Sequence, residues 1–128
     1  MSENHSVLIT GASTGIGYAS ANYLSDKGWR VFAGVRKAED AARLSAELGD
    51  SVHPVICDVT DADIIKSAAE QVRQDLAGQT LTGLVNNAGI PDAQRAHKMD
   101  IELIDRVLDI NVRAPFVLSC EVARRLMA

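Results

Sequence analysis

Cysteine, basic charge and long apolar runs are all scarce in this chain of 128 residues. The two cysteines, Cys57 and Cys120, lie far apart inside apolar stretches, which indicates buried reduced thiols rather than a disulfide framework. With 13 lysines and arginines against 17 acidic residues, the formal net charge is −4. Binding to a nucleic-acid backbone requires a basic excess, so we expect no nucleic-acid partner.

The opening stretch MSENHSVLIT has neither a basic start nor a long apolar run. We therefore expect no signal peptide and no membrane span, and a cytoplasmic location. The histidines His5, His53 and His97 share no metal-ligand spacing, so no metal site is predicted. Repeats, low-complexity tracts and linkers are also lacking, which indicates a single domain over residues 1–128.

Short apolar runs alternate with segments of helical periodicity along the chain. Strands are predicted within residues 5–10, 29–35, 51–57 and 81–86, and helices within residues 15–27, 37–50 and 61–79, then from about 100 and from about 112. Pro54 indicates that the third strand lies at or near a sheet edge. Because strands separated by helices of this length form βαβ units, the chain predicts an open parallel sheet.

The first predicted strand runs directly into TGASTGIG, whose glycines are Gly11, Gly15 and Gly17. A glycine at the strand end permits a tight turn, and one at the helix start lets backbone N–H groups approach a diphosphate. The helix N-terminus adds a partial positive charge. Glycine can also serve a turn alone, but the place of this loop after the first strand favours dinucleotide binding.

Four motifs follow one another in order: TGASTGIG at residues 10–17, Asp58 with Val59, NNAG at residues 86–89, and DINV at residues 109–112. Together they resemble the short-chain dehydrogenase/reductase family, and they correspond to its N-terminal cofactor-binding half. The resemblance implies an α/β fold, with a Rossmann-like doubly wound parallel sheet of about four strands in the order 3-2-1-4. The chain is short relative to the family domain.

The same resemblance implies a binding site for NAD(P). The implied contacts to the diphosphate and adjacent ribose are Gly11, Ser13, Thr14, Gly15, Ile16 and Gly17. At the adenine, the Asp58 carboxylate would accept from the amine and the Val59 N–H would donate to the ring. Asn86, Ala88 and Gly89 would form a turn along the cofactor, although Asn and Gly in such a turn also tolerate unusual backbone angles.

The end of the second predicted strand determines the choice of cofactor. Val35 stands where NAD-preferring relatives carry an acid, and Arg36 and Lys37 follow it. An acid hydrogen-bonds both ribose hydroxyls, whereas a 2′-phosphate requires a cation. We therefore predict that NADP is preferred to NAD. The alternative is that Arg36 merely opens a solvated helix.

The family transfers a hydride between the nicotinamide and a carbonyl or alcohol carbon, using Asn, Ser, Tyr and Lys. Asn111 in DINV matches the Asn, whose implied role is to support a water chain that reaches the Lys. The Ser and the Tyr-x-x-x-Lys of the family come later than Ala128, where this sequence ends. Without them, Asn111 is expected to play a supporting role only, and this chain alone is expected to be inactive.

A second Tyr-x-x-x-Lys spacing, Tyr23 and Lys27, occurs in the first predicted helix. Helical rise places the two residues roughly 12 and 18 Å from the diphosphate loop, too far to act on a nicotinamide. We expect Tyr23 to pack on a face shared with Ile16 and Ala19, and Lys27 to be a surface charge. Ser119 is expected to be a surface or packing hydroxyl of the last helix.

Two functions remain open at this point. The chain is either the dinucleotide-binding part of a short-chain oxidoreductase or a non-catalytic nucleotide-binding or interaction module of the same fold. A Rossmann-like methyltransferase is disfavoured, because NNAG and DINV would have no role in it. The fourth strand and the last helix, with Phe116, Val117, Cys120 and Val122, are expected to be uncovered, which predicts self-association, a complementing chain or marginal stability.

Overall fold

A computed structural model describes residues 5–90 and 94–127, which form a four-stranded parallel sheet flanked by helices. The strands are Ser6–Ile9 (β1), Arg30–Val35 (β2), Val52–Ile56 (β3) and Gly83–Val85 (β4). The helices are Gly15–Asp26 (α1), Ala38–Leu48 (α2), Ala62–Leu76 (α3), Ile101–Leu108 (α4) and Ala114–Leu126 (α5), with a 3₁₀ turn at Ala96–Lys98 and a π-helical turn at Asp109–Arg113. The strand order β3-β2-β1-β4 confirms the prediction from the sequence.

Both faces of the sheet are covered, which explains why the strands read as apolar runs. The four residues of β1 are all buried, and their side chains alternate between the faces. Leu8 belongs to a core that contains Val72 of α3 and Leu118 of α5. Val7 and Ile9 belong to a second core against α1 and α2. The two cores are the doubly wound arrangement that the sequence predicts.

The edges of the sheet are formed by β3 and β4. Pro54 pairs with Ala33 across one edge, and the prediction of an edge position for the third strand is confirmed. At the other edge, β4 is only three residues long and is shorter than the expected strand over residues 81–86. Its partner is β1, in a register that aligns Leu8 with Leu84. Val85 is partly exposed at this edge.

The last part of the described chain forms one helical rod, because the π-helical turn joins α4 directly to α5. On α5, a stripe of side chains at four-residue spacing is buried against α3: Ala114, Leu118, Val122 and Leu126. The expectation that Val122 is uncovered is therefore wrong. Phe116 is 70% exposed, and Val117 is half-buried. Cys120 is exposed and not buried as predicted, because it lies off the buried stripe, whereas Cys57 is buried as expected.

The Tyr23 side chain is 62% exposed on the surface of α1. The expectation that Tyr23 packs with Ile16 and Ala19 is wrong, since all three residues are exposed. The helix buries Gly17 and Ala21 instead, which are small enough for α1 to lie close to the sheet. The Lys27 ammonium lies 5.4 Å from the centroid of the Tyr23 ring, as a surface cation–π pair. Within the described ranges, no helix is long and apolar enough to cross a membrane.

Candidate functional site

A cleft of about 800 Å³ opens at the carboxyl ends of the strands. Loops that follow all four strands and part of the helical rod that contains α4 form its walls. The lining residues are Gly11, Ser13, Thr14, Gly34, Val35, Arg36, Cys57, Asp58, Val59, Thr60, Asn87, Ala88, Gly89, Ile90, Glu102, Asp105, Arg106, Asp109 and Ile110. The strand order reverses between β1 and β4, and open parallel sheets bind ligands at such a point.

Eight of the residues predicted to contact a cofactor line this one cleft. They are Gly11, Ser13, Thr14, Arg36, Asp58, Val59, Ala88 and Gly89. The other predicted residues, which do not line it, are Gly15, Ile16, Gly17, Asn86 and Asn111. The sequence motifs thus meet around one opening, while the contact of each residue with a cofactor remains a prediction.

Three glycines of the loop after β1 are required for different reasons. A Cβ atom at Gly17 would lie 2.3 Å from the carbonyl oxygen of Gly11, and one at Gly11 would lie 2.9 Å from the Cα of Ala88. Gly11 and Gly15 also have φ angles of +64° and +61°, which side chains of L-residues disfavour. The loop therefore brings its own backbone close both to α1 and to the loop after β4.

The side chain of Thr10 ties the loops after β1 and β4 together. Its Oγ1 accepts hydrogen bonds from the backbone N–H of Asn87 at 3.1 Å and of Ala88 at 3.0 Å. The Asn87 amide in turn donates to the carbonyl of Gly11 at 3.1 Å. Thr10 and Asn87 were missed as site residues by sequence reasoning, although both belong to motifs that it identified. The signal that could have identified them is a polar side chain near a glycine within each motif.

The helices differ in how their first turns are capped. The N-cap of α3, Asp61, accepts from two backbone N–H groups, and Asp100 accepts from one at the start of α4. Thr14 and Lys37, at the N-caps of α1 and α2, make no such side-chain bond. The N–H groups of a first helical turn lack intrahelical acceptors. The start of α1 therefore offers donors and partial positive charge to an anion.

The Asp58 carboxylate lies at the end of β3 and is held by the turn that follows it. Its Oδ1 accepts from the Thr60 hydroxyl at 2.6 Å and from the Thr60 N–H at 3.0 Å. These two bonds lower the pKa of Asp58, and the nearby Arg36 lowers it further, against the opposing effect of burial. Asp58 therefore remains an ionised acceptor in the cleft, which suits an exocyclic amine.

Two cations follow β2, but they differ in their surroundings. Lys37 lies 3.9 Å from Glu39 in an ion pair. Arg36 is exposed, lines the cleft and makes no ion pair within the described part of the chain. Its guanidinium fork suits a phosphate group better than a lysine ammonium does. Arg36 is thus the cation at this wall that is free to bind an anionic ligand.

Cys57 lines the cleft beside Asp58 and is buried. Burial raises the pKa of the thiol to about 11, with a further contribution from the Asp58 charge. A thiol with such a pKa is protonated at neutral pH and is a poor nucleophile. Cys57 therefore contributes to the shape of the cleft and not to covalent chemistry.

Asn111 lies in the π-helical turn, and its carboxamide makes two hydrogen bonds with the backbone of Ile90. Oδ1 accepts from the Ile90 N–H and Nδ2 donates to the Ile90 carbonyl, each at 3.0 Å. A Cβ atom at Gly89 would lie 3.0 Å from Oδ1, so glycine fits beneath the amide. The side chain fixes the loop after β4, while a part in proton transfer remains a prediction.

The wall formed by α4 was missed by sequence reasoning. Its lining residues are Glu102, Asp105 and Arg106 of α4, and the π-helical turn continues the wall with Asp109 and Ile110. Periodicity predicted a helix there, but nothing in the local sequence indicates which face meets a loop more than ten residues away. Within the described ranges, no group of three or more histidine, cysteine or acidic side chains is placed to hold a metal ion.

The remaining predicted residues lie away from the cleft. Neither Tyr23 nor Lys27 is among its lining residues, so their spacing does not build an active site. Ser119 is an exposed hydroxyl of α5, as expected, and accepts a hydrogen bond from the Asn86 amide at 3.2 Å. Asn86 is thereby directed toward α5, and it is not among the cleft-lining residues.

The sequence and the fold are similar to those of known proteins. The chain is 34% identical over 124 residues to the uncharacterised oxidoreductase YxbG of Bacillus subtilis, with 91% of this chain and 44% of that protein covered. The 3-ketoacyl-(acyl-carrier-protein) reductase of Brucella melitensis in complex with NADH superposes with a TM-score of 0.88 at 29% identity, over 96% of this chain and 50% of the other. The NADPH-bound carbonyl reductase from chicken fatty liver gives a TM-score of 0.86 at 31% identity, over 97% and 52%.

The chain thus spans about half the length of these relatives. The neighbouring structures include complexes with both NADH and NADPH. The model of the short chain dehydrogenase family matches residues 5–128, which contain the glycine loop, the NNAG turn and the DINV segment. This chain therefore belongs to the short-chain dehydrogenase/reductase family of oxidoreductases and has its NAD(P)-binding fold.

Proposed function

We propose that this chain is the dinucleotide-binding part of a short-chain oxidoreductase that prefers NADP to NAD. The observation that carries the proposal is the cleft itself, where an uncapped helix start, an ionised carboxylate and an arginine without an ion pair among the described residues lie around one opening. These are the groups that a diphosphate, an adenine amine and a 2′-phosphate require. The residues therefore fit the cofactor that the family implies.

Each part of the cleft would bind one part of the dinucleotide. The backbone N–H groups from Ser13 to Gly17 would donate to the diphosphate, with Ser13 and Thr14 offering hydroxyls to the adjacent ribose. Asp58 would accept from the adenine amine, and the Val59 N–H would donate to the ring. The loop at residues 86–89 would lie along the cofactor, held there by Thr10 and Asn87.

The preference for NADP follows from the end of β2. The wall there has Val35 where an acid would favour the ribose hydroxyls of NAD. Beside it, Arg36 makes no ion pair with any residue that the structure describes. A hydrogen bond to a charged group contributes about 1.5–3 kcal/mol, which corresponds to about a tenfold or larger difference in affinity. We therefore expect NADPH to bind at least about tenfold more tightly than NADH under the same conditions.

Titration of the chain with NADPH and NADH tests this preference, with Arg36→Ala and Lys37→Ala as matched variants. The two variants remove exposed cations from adjacent positions. Of the two, Lys37 forms an ion pair with Glu39, whereas Arg36 forms none with the residues that the structure describes. Arg36→Ala should weaken NADPH binding and leave NADH binding unchanged, whereas Lys37→Ala should retain the preference. Equal affinity of the wild type for the two nucleotides would contradict the proposal.

In the longer protein, the reaction would be hydride transfer between the nicotinamide and a carbonyl or alcohol carbon. When bound, the nicotinamide supplies the hydride or accepts it. Within this chain, Asn111 holds the loop after β4 through Ile90, and the Tyr23 and Lys27 pair lies on the outer surface of α1. We therefore expect the chain alone to bind the cofactor without turnover.

Reduction assays with a panel of carbonyl compounds test this expectation. NADPH binding without turnover in this chain, and turnover in a longer protein that continues through a Ser and a Tyr-x-x-x-Lys, would support the oxidoreductase assignment. A longer protein that binds NADPH but has no activity on any carbonyl would favour the non-catalytic nucleotide-binding module instead.

The free thiols of Cys57 and Cys120 favour a reducing location such as the cytoplasm.

Self-association is the expected state of the isolated chain. The helical rod carries exposed apolar side chains along its length, which are Ile101, Ile104, Leu108, Val112 and Phe116. Exposed apolar patches of this kind mark interaction surfaces. In light scattering during size-exclusion chromatography, Phe116→Ser should reduce the oligomer fraction, while Tyr23→Ser, which removes a similarly exposed aromatic ring from α1, should not. A wild-type chain that is a stable monomer at micromolar concentration would exclude this state.

A further inference from the structure

A cation on α2, Arg43, contacts the glycine loop but is not among the residues that line the cleft. Arg43 donates a hydrogen bond from its guanidinium to the backbone carbonyl of Ser13, a residue 30 positions earlier in the chain. Ser13 lines the cleft, whereas Arg43 is not among the lining residues. The contact therefore acts on the loop without offering Arg43 itself to the ligand.

Arg43 is held in this position by a network that involves α1 and α2. Its guanidinium lies 3.5 Å from Asp40 and 3.5 Å from Glu47, one turn to either side on α2. The Tyr18 hydroxyl donates to the same Glu47 carboxylate at 2.6 Å, and the guanidinium lies 5.8 Å from the centroid of the Tyr18 ring. A fork restrained from several sides places its donors with little remaining freedom, which suits a residue that fixes a carbonyl.

The geometry of the peptide unit connects this contact to anion binding. The peptide between Ser13 and Thr14 is trans, so the carbonyl of Ser13 and the N–H of Thr14 point in opposite directions. Because the Ser13 carbonyl points toward Arg43, the N–H of Thr14 points away from Arg43. Ser13 and Thr14 both line the cleft, whereas Arg43 does not.

We propose that Arg43 is a positioning residue, which presents the Thr14 N–H to the diphosphate by holding the Ser13 carbonyl. The proposal rests on the proposed function of the cleft. Support from outside the loop is needed because Thr14 makes no capping bond that would fix the start of α1 from within. The role of Arg43 differs from that of Arg36, because a diphosphate is common to NADPH and NADH, whereas only NADPH has the 2′-phosphate.

The first experiment compares the dissociation constants of NADPH and NADH for Arg43→Gln, Arg43→Lys and a control, Arg73→Gln. Arg73 is also an arginine paired with an acid on its own helix, Glu70 of α3, but it is more exposed than the half-buried Arg43 and is not among the cleft-lining residues. Arg43→Gln should raise both dissociation constants by the same factor, about tenfold, because one charged hydrogen bond to the loop is lost. Arg43→Lys should restore part of the affinity, and Arg73→Gln should change neither constant. A loss confined to NADPH would overturn the proposal, since Arg43 would then act on the 2′-phosphate, and unchanged constants would also overturn it.

A second measurement does not depend on nucleotide binding. In amide NMR spectra without nucleotide, Arg43→Gln should shift the resonances of Thr14 and Gly15 and leave that of Val72, in the core of α3, in place. Arg73→Gln should leave all three resonances in place. If Thr14 does not respond, Arg43 does not position the loop, whatever the nucleotide titrations give. If Thr14 responds but the wild type binds neither nucleotide, the proposed function fails and the positioning role stands.

Discussion

The hydroxyl of Thr10 should contribute more to stability than its size suggests, because it accepts from two backbone N–H groups and is 1% exposed. The substitution Thr10→Val keeps the shape and removes the acceptor. An orphaned donor costs about 1–3 kcal/mol. The Ala88 N–H would lose its acceptor, whereas the Asn87 N–H also donates to the Val85 carbonyl at 3.1 Å and would keep that bond. We therefore expect Thr10→Val to lower the free energy of unfolding by about 2 kcal/mol.

Urea denaturation followed by circular dichroism measures this difference, and two further variants control it. Thr82→Val removes an exposed hydroxyl that accepts one bond, from the Ser6 N–H at 3.0 Å at the opposite end of β4, and should cost about 1 kcal/mol or less. Thr10→Ser keeps the acceptor and loses a methyl group, at about 1 kcal/mol. Equal destabilisation by Thr10→Val and Thr82→Val, or by Thr10→Val and Thr10→Ser, would refute the reasoning.

Three further perturbations follow from the same structure. Gly17→Ala places a Cβ atom 2.3 Å from the Gly11 carbonyl oxygen, so it should abolish NADPH binding in a titration. At Gly28 a Cβ atom would meet nothing within 4 Å, but the φ angle is positive. Gly28→Ala should therefore lower only the melting temperature. The pKa of the Cys57 thiol is about 11 in the folded chain, against 9.0 for an unperturbed thiol. Between these pH values the thiol ionises in the unfolded chain but stays protonated in the folded chain. The contribution of this thiol to the free energy of unfolding is therefore present below pH 9 and is lost between pH 9 and 11. That loss, about 3 kcal/mol from two pH units at 1.36 kcal/mol each, should be smaller in Cys57→Ala, as denaturation at pH 8 and pH 11 would reveal. Asp61→Ala removes the N-cap of α3 and should lower the free energy of unfolding by about 1 kcal/mol. Asp61→Asn keeps an acceptor oxygen at the N-cap and should retain most of that stability in the same denaturation assay.

The sequence was sufficient to predict the elements and their order, because the signals that define them are local. Apolar runs predicted the strands. Pro54 predicted an edge position for the third strand, because proline has no N–H to donate to a neighbouring strand. Helical faces were harder to predict. On α1 the sequence offered both a large apolar face at Ile16 and Tyr23 and a small one at Gly17 and Ala21, and the close approach of the helix to the sheet selected the small one.

The candidate site was predictable where a motif carries its own chemistry and not where partners come from afar. The glycines of the first loop were identified because they follow a strand and expose backbone donors at a helix start, and Asp58 because it matches a motif of the family. Thr10 and Arg43 were missed, since their partners lie 77 or 78 and 30 positions away. Such pairs come together only in the folded chain, and no local pattern in a single sequence predicts them.

The contacts between the loops after β1 and β4 also have a consequence for folding. The Asn87 amide reaches the Gly11 carbonyl across 76 positions of sequence, and the start of α1 approaches the same amide. Closing a loop of this length is slow relative to forming a βα unit. The first βα units can therefore associate early, while the loop after β1 should reach its final conformation only when β4 joins the sheet. A nascent chain that ends before residue 83 would contain the whole glycine motif without its final shape, so the ability to bind a nucleotide should arise among the last steps of folding.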